Sequence, residues 1–177
     1  VLAVTWCRLL VESNRSPTNP RIWSQWTTPL PREEKARILE CYWWPHRGRV
    51  ERAVQQAIDD GRRVVHVAVH SFTPVLDGEV RNADVGLLYD PARPLERKAC
   101  IRWAEALRLR MPGLRVRRNY PYRGSADGLT TWLRCRHPAE SYRGIELEVN
   151  QGYVAGPVRT SLARVLAETL ARVSGER

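Results

Sequence analysis

Two histidines stand four residues apart in an otherwise apolar run, VVHVAVHSFTPVL at 64–76. A buried imidazole must find partners for two ring nitrogens or lose free energy. His66 and His70 are therefore either satisfied core residues or the means by which a strand delivers a ligand to a site. Side chains alternate with period two along a strand, so the pair shares one face. His70 sits where the run meets turn formers, and on composition alone reads as a core or surface histidine; His66 behind it could bond a carbonyl or, if the strand delivers a ligand, steady it. A second pattern is GIELEVN at 144–150, in which Glu146 and Glu148 share a face opposite Ile145, Leu147 and Val149. It reads as a half-exposed strand with a solvated carboxylate face, or as a strand end presenting Glu146 as a general base. A third is Asn14-Arg15, which is either a plain turn or a guanidinium fork able to grip a carboxylate in bidentate fashion. Arg81 is a further candidate cation, whose ordinary role would be to pair with Asp84 or Asp77.

These residues need elements to position them. TWCRLLVE (5–12) reads as a strand broken by the turn formers SNRSPTNP. LPREEKARILECYWW carries Pro31 near a helix start and Glu33 and Glu34 in the first turn, and Pro45 is expected to kink or break it. HRGRVERAVQQAIDDG continues helically with Val50, Val54, Ala57 and Ile58 on one face and Gly61 as a stop. RVVHVAVH (63–70), apolar on both faces, reads as a central strand covered by helices on each side. DVGLLYD (84–90) is a second buried strand, residues 94–111 a helix, LRVRR a strand, NYPYRGSADG a loop and LTTWLRCR a short helix. RGIELEVNQ (143–151) alternates cleanly, and PVRTSLARVLAETLARV closes the chain as a helix. Strands alternating with helices predict an α/β sheet with helices on both faces, in a single domain over residues 1–177. In such sheets functional residues gather at the carboxyl ends of strands, which here carry ESNR (12–15), HSF (70–72) and ELEVN (146–150).

Composition narrows the class. A chain of 177 residues with 43% hydrophobic and 27% charged content has the makings of one globular core. No apolar stretch approaches a membrane span, and the start lacks the layout of a secretory signal, so a cytoplasmic protein is expected. The net charge of +10 raises nucleic acid as a partner. Against it, 27 of the 29 basic residues are arginines spread along the whole chain, only Lys35 and Lys98 being lysine, which fits a compositional bias of the source. Cys7, Cys41, Cys100 and Cys135 share no short spacing, which excludes a zinc knuckle or a redox Cys-x-x-Cys and leaves reduced thiols as the simplest reading. The only methionine is Met111 and the chain opens on Val1, so a fragment or processed product is expected.

Taken in order, RLLVESNRSP, VHVAVHSFTPVLDGEVRNADVGLLYDP, NYPYRGSADGLTTWLR and YRGIELEVNQ resemble the N-formylglutamate amidohydrolase family, bacterial relatives of the zinc carboxypeptidases. The resemblance runs over residues 5–153. It implies a three-layer α/β/α fold with a mixed sheet and a zinc-dependent amide hydrolase acting on a small N-acyl amino acid with a free carboxylate, such as N-formylglutamate. It assigns His70 as the last of three protein zinc ligands, Glu146 as the general base, and Asn14 and Arg15 as the carboxylate grip. Tyr122 and Arg123 fall in a loop that lines the site. One zinc per chain of the intact protein is implied. The family's other two ligands, a histidine and a carboxylate, precede the Asn-Arg pair, whereas the thirteen residues before Asn14 contain no histidine. His46 and Glu12 are poor substitutes, and one imidazole does not hold zinc firmly. The chain as it stands is therefore expected to be metal-poor. The rival expectations are a hydrolase fold that binds a ligand without turning it over and, with less in its favour, a basic nucleic-acid-binding domain.

Overall fold

The computed structural model describes residues 1–154, 156 and 158–175. The chain forms two compact units, residues 1–64 with 127–142, and residues 65–126 with the described residues from Arg143 on.

In the first unit the helical pattern is realised as α1 (Arg32–Ile38), a π-helical turn (Leu39–Trp43) and α2 (Trp44–Asp59) in one continuous run. Pro45 therefore does not break the helix. Its missing N–H and its ring exclude an ordinary bond to the carbonyl four residues back. The ladder widens instead, Trp44 N–H bonding the Leu39 carbonyl five residues behind it. The stretch read as a strand at 5–12 is not one: Leu10 N–H bonds the Cys7 carbonyl (3.0 Å) and Glu12 N–H the Ile22 carbonyl (2.9 Å). Its apolar residues are used locally, with Val11, Ile22 and Trp43 forming a small buried cluster flanked by Trp6 and Leu10. A separate cluster joins Val50 and Val54 of α2 to Leu129 and Leu133 of α4 (Leu129–Arg134) and to Tyr142.

The second unit holds most of a mixed four-stranded sheet in the order β1 (Val64–Phe72), β6 (Tyr142–Asn150), β4 (Val85–Leu88), β5 (Val116–Arg118). β4 runs antiparallel to β6 and parallel to β5. Val85, Leu87, Val116, Ile145, Leu147 and Val149 are buried against α3 (Pro94–Arg110) and α6 (Arg159–Gly175) around Trp103, Leu107, Leu162 and Val165. Pro157, with which the closing helix was expected to begin, lies outside the described residues. β1 is an edge strand among the described residues rather than a central one, and Val69 on it is 69% exposed. A small hairpin, β2 (Val75–Leu76) and β3 (Glu79–Val80), turns on Asp77 and Gly78, both at positive φ. α5 (Gln151–Val154) follows β6 directly. Among the described residues no helix is long and apolar enough to cross a membrane, and all four cysteines are free thiols.

Candidate active-site face

Register defines the two faces of the sheet. Val85 pairs with Val149 and Leu87 with Leu147 on the face that α3 and α6 cover. Gly86 pairs with Glu148 and Leu88 with Glu146, which puts both glutamates on the opposite face. On β1, Val65 and Val67 pack against the helix-covered core. By the same alternation His66 and His70 belong to the face of the two glutamates.

That face is not a solvated row of acids. Glu146 is 7% and Glu148 5% exposed, which removes the reading of a half-exposed strand. Burial of a carboxylate is costly without polar partners, so two in alternate positions of one strand mark a place built for them. The Nε2 atom of His70 is also buried and has no hydrogen-bond partner among the described residues.

A loop lies over this face because of one glycine. A Cβ on Gly86 would stand 2.1 Å from the Tyr120 carbonyl oxygen and 3.3 Å from the Glu148 Cβ. Only a residue without a side chain lets the Asn119–Arg123 segment come down beside Glu148. The segment is pinned at Asn119, whose Oδ1 accepts from Tyr89 N–H (3.0 Å) and Gly124 N–H (3.2 Å). Tyr120 Oη accepts from Asn82 N–H (3.0 Å), and Arg81 Nη1 donates to Tyr122 Oη (2.8 Å) while its guanidinium stacks on the Tyr122 ring at 5.0 Å. Arg81 and Tyr122 are thus brought together. Arg81 pairs with neither Asp84 nor Asp77, contrary to its expected ordinary role. Asp84 is instead held by Arg115, which donates from Nη2 (2.6 Å), Nε (3.1 Å) and its backbone N–H (2.8 Å). Burial pushes the Asp84 carboxyl up, but the bonds and charge of Arg115 and the Tyr153 hydroxyl outweigh it and hold the group below the usual carboxylate value. The Arg123 side chain makes no hydrogen bond or ion pair among the described residues.

Asn14 and Arg15 belong to the first unit. They lie on a turn, not at a strand end, with Arg15 N–H bonding the Glu12 carbonyl at 3.2 Å. Asn14 Oδ1 accepts from Leu129 N–H at the start of α4 (2.8 Å), and Arg15 Nη1 donates to the Asp127 carbonyl (2.7 Å). These bonds leave Asn14 Nδ2 and the rest of the Arg15 fork as donors. The Asp127 carboxylate accepts from Ser16 N–H (3.0 Å), Ser16 Oγ (3.1 Å) and Asn19 Nδ2 (2.7 Å). Burial raises its pKa, and these donors together with the Arg15 charge reverse the shift to a net lowering. Sequence reasoning missed Asp127 and the buried Arg47 that also serves this turn. The polar residues around SADG were the available signal for the first, and nothing in the pattern of α2 singled out the second.

His70 Nε2 has the character of a metal ligand, but the donor set does not complete a zinc centre. Among the described residues no group of three or more His, Cys, Asp or Glu side chains could hold a metal ion. His46 is no substitute: it is buried in the first unit, set edge-on to Trp6 at 5.8 Å, and kept below its ordinary pKa by burial and by the charges of Arg47 and Arg49.

A mixed sheet with helices, one face given to an apolar core and the other carrying two buried glutamates and two half-buried histidines, defines an α/β protein. The N-formylglutamate amidohydrolase family model matches residues 2–155, and the chain belongs to that family of hydrolases. Among solved structures, a gene product of Agrobacterium tumefaciens is 26% identical, with a TM-score of 0.72 over 94% of this chain and 68% of that one. An N-formylglutamate amidohydrolase from Ralstonia eutropha JMP134 is 20% identical, with a TM-score of 0.74 over 96% of this chain and 73% of its own, and shares the fold. No curated protein matches the chain.

Proposed function

We propose that the protein hydrolyses the amide bond of a small N-acyl amino acid with a free carboxylate, N-formyl-L-glutamate being the substrate its family name gives, to yield formate and glutamate. The observation that carries this reading is the burial of Glu146 on the sheet face it shares with His70. A carboxylate in a walled site can take a proton from an attacking water and hand it to the departing amine, a role worth about 10²–10⁴ in rate. Arg81, oriented by Tyr122, is the cation for the oxyanion that develops on the scissile carbonyl. The free arm of Arg15 and the Asn14 amide bind the substrate carboxylate. We also propose one zinc per intact protein, with His70 Nε2 among its ligands. The described residues supply no complete ligand set, and the proton and binding steps rest on the chain's own acids and cations.

The experiment is a pair of substrates. N-formyl-L-glutamate is compared with N-formyl-L-glutamine amide, which lacks both carboxylates, in wild type and Arg15→Met. Loss of charge-assisted hydrogen bonds predicts a fall in kcat/KM of about 10–100-fold for Arg15→Met on the acid, with little change on the amide. Equal kcat/KM on the acid in both proteins contradicts the assignment. The incomplete ligand set favours a second reading, ligand binding without turnover. It predicts that N-formyl-L-glutamate binds while no formate is released.

A further inference from the structure

The Asn14-Arg15 turn is held by an arginine that the reaction itself does not call for. Arg47 on α2 is 1% exposed. Its Nη2 donates to three successive carbonyls, those of Ser13 (3.3 Å), Asn14 (2.8 Å) and Arg15 (3.1 Å). Three consecutive carbonyls reach one nitrogen only when the backbone curls around it, so the guanidinium sets the shape of the turn. Its own position is fixed by stacking, with the Trp43 ring centroid at 4.5 Å and that of Trp132 at 5.4 Å. Trp43 Nε1 adds a second donor to the Arg15 carbonyl (3.0 Å). Trp43 ends the π-helical turn that Pro45 imposes, and Arg47 follows one helical turn later on the same face. A cation buried this completely is expensive to keep, and here its Nη2 serves the three residues that lead into and form the carboxylate grip.

We propose that Arg47 is a positioning residue for substrate carboxylate recognition: it holds the backbone of residues 13–15 so that the Arg15 fork and the Asn14 amide meet the carboxylate preorganised. The inference rests on the reading of Asn14 and Arg15 as the carboxylate grip. Arg47 holds the turn's carbonyls while the 127–129 segment holds its side chains. With both sides fixed, binding orders little additional chain, which is where preorganised sites gain affinity.

The test is titration calorimetry with N-formyl-L-glutamate and N-formyl-L-glutamine amide on wild type, Arg47→Met, Arg47→Lys, Arg15→Met and the double variant Arg15→Met/Arg47→Met. The expected result is a rise in Kd of tenfold or more for the acid in Arg47→Met, an amide Kd within twofold of wild type, and an intermediate acid Kd in Arg47→Lys. The second substitution adds nothing once Arg15 is gone. A merely structural role weakens both ligands alike, and that outcome, or an unchanged acid Kd, overturns the inference. If Arg47→Met does not fold, the acid-to-amide ratio of Arg47→Lys decides in the same way. An unchanged acid Kd in Arg15→Met overturns the carboxylate reading itself, and is told apart because it appears in a protein whose Arg47 is intact.

Discussion

A carboxylate on a β-strand can face water or be enclosed, and alternation alone does not say which. GIELEVN placed Glu146 and Glu148 on one face correctly, but both are buried, and beside Glu148 the Tyr120 carbonyl comes down over Gly86, a residue far away in sequence. The face of His70 was readable for the same reason as that of Glu146, since both lie in strands with strong periodicity. For Arg81, adjacency pointed to Asp84 or Asp77 as the partner, whereas the phenol of Tyr122, 41 residues on, takes its Nη1 donor. Asp84 pairs with Arg115 instead, and this pair makes a stability prediction. Its folded pKa is depressed, so its contribution is fully present above the unfolded value of about 3.9 and is lost as pH falls from there through the lower folded value. Asp84→Asn is expected to cost about 1–3 kcal/mol at neutral pH and to flatten that acid limb, as read by urea unfolding between pH 2.5 and 7. An unchanged pH profile would remove the ion pair from the account.

At the scale of elements, periodicity identified α2, α3, β4, β5 and β6 within a residue or two, because their apolar spacing matches the core they build. Three readings failed for identifiable reasons. Residues 5–12 have strand composition but pair with no strand among the described residues, and their apolar side chains serve a local cluster instead. Pro45 was expected to kink or break the helix, whereas a π turn absorbs it. The apolar run of β1 suggested a central strand, but its even positions include His66 and His70, and it lies at the sheet edge among the described residues. The Asp77-Gly78 hairpin was a readable turn signal that the apolar bias toward β1 obscured. The loop over the carboxylate face gives an element-level prediction. Gly86→Ala pushes a methyl group into the Tyr120 carbonyl, and is expected to lower stability by about 1–3 kcal/mol and to cut turnover more than tenfold as the 119–123 loop shifts. Urea midpoints and formate release check both. Wild-type values would show that the loop does not depend on that close approach.

At the scale of the whole molecule, the family was legible because its motifs are long and ordered, and the match over residues 2–155 spans both units. The charge of +10 is carried mainly by arginines, several of which are used individually among the described residues: Arg47 on carbonyls, Arg115 on Asp84, Arg81 on Tyr122 and Arg136 on Glu51. What the sequence could not supply was the partnering of residues far apart in the chain, which packing alone decides. The central claim is that Glu146 is the base that activates water, and the most direct measurement is formate release from N-formyl-L-glutamate by Glu146→Gln beside wild type of equal metal content. The account predicts a kcat lower by about 10²–10⁴-fold with substrate affinity and unfolding midpoint retained. Turnover at the wild-type rate by Glu146→Gln would contradict it.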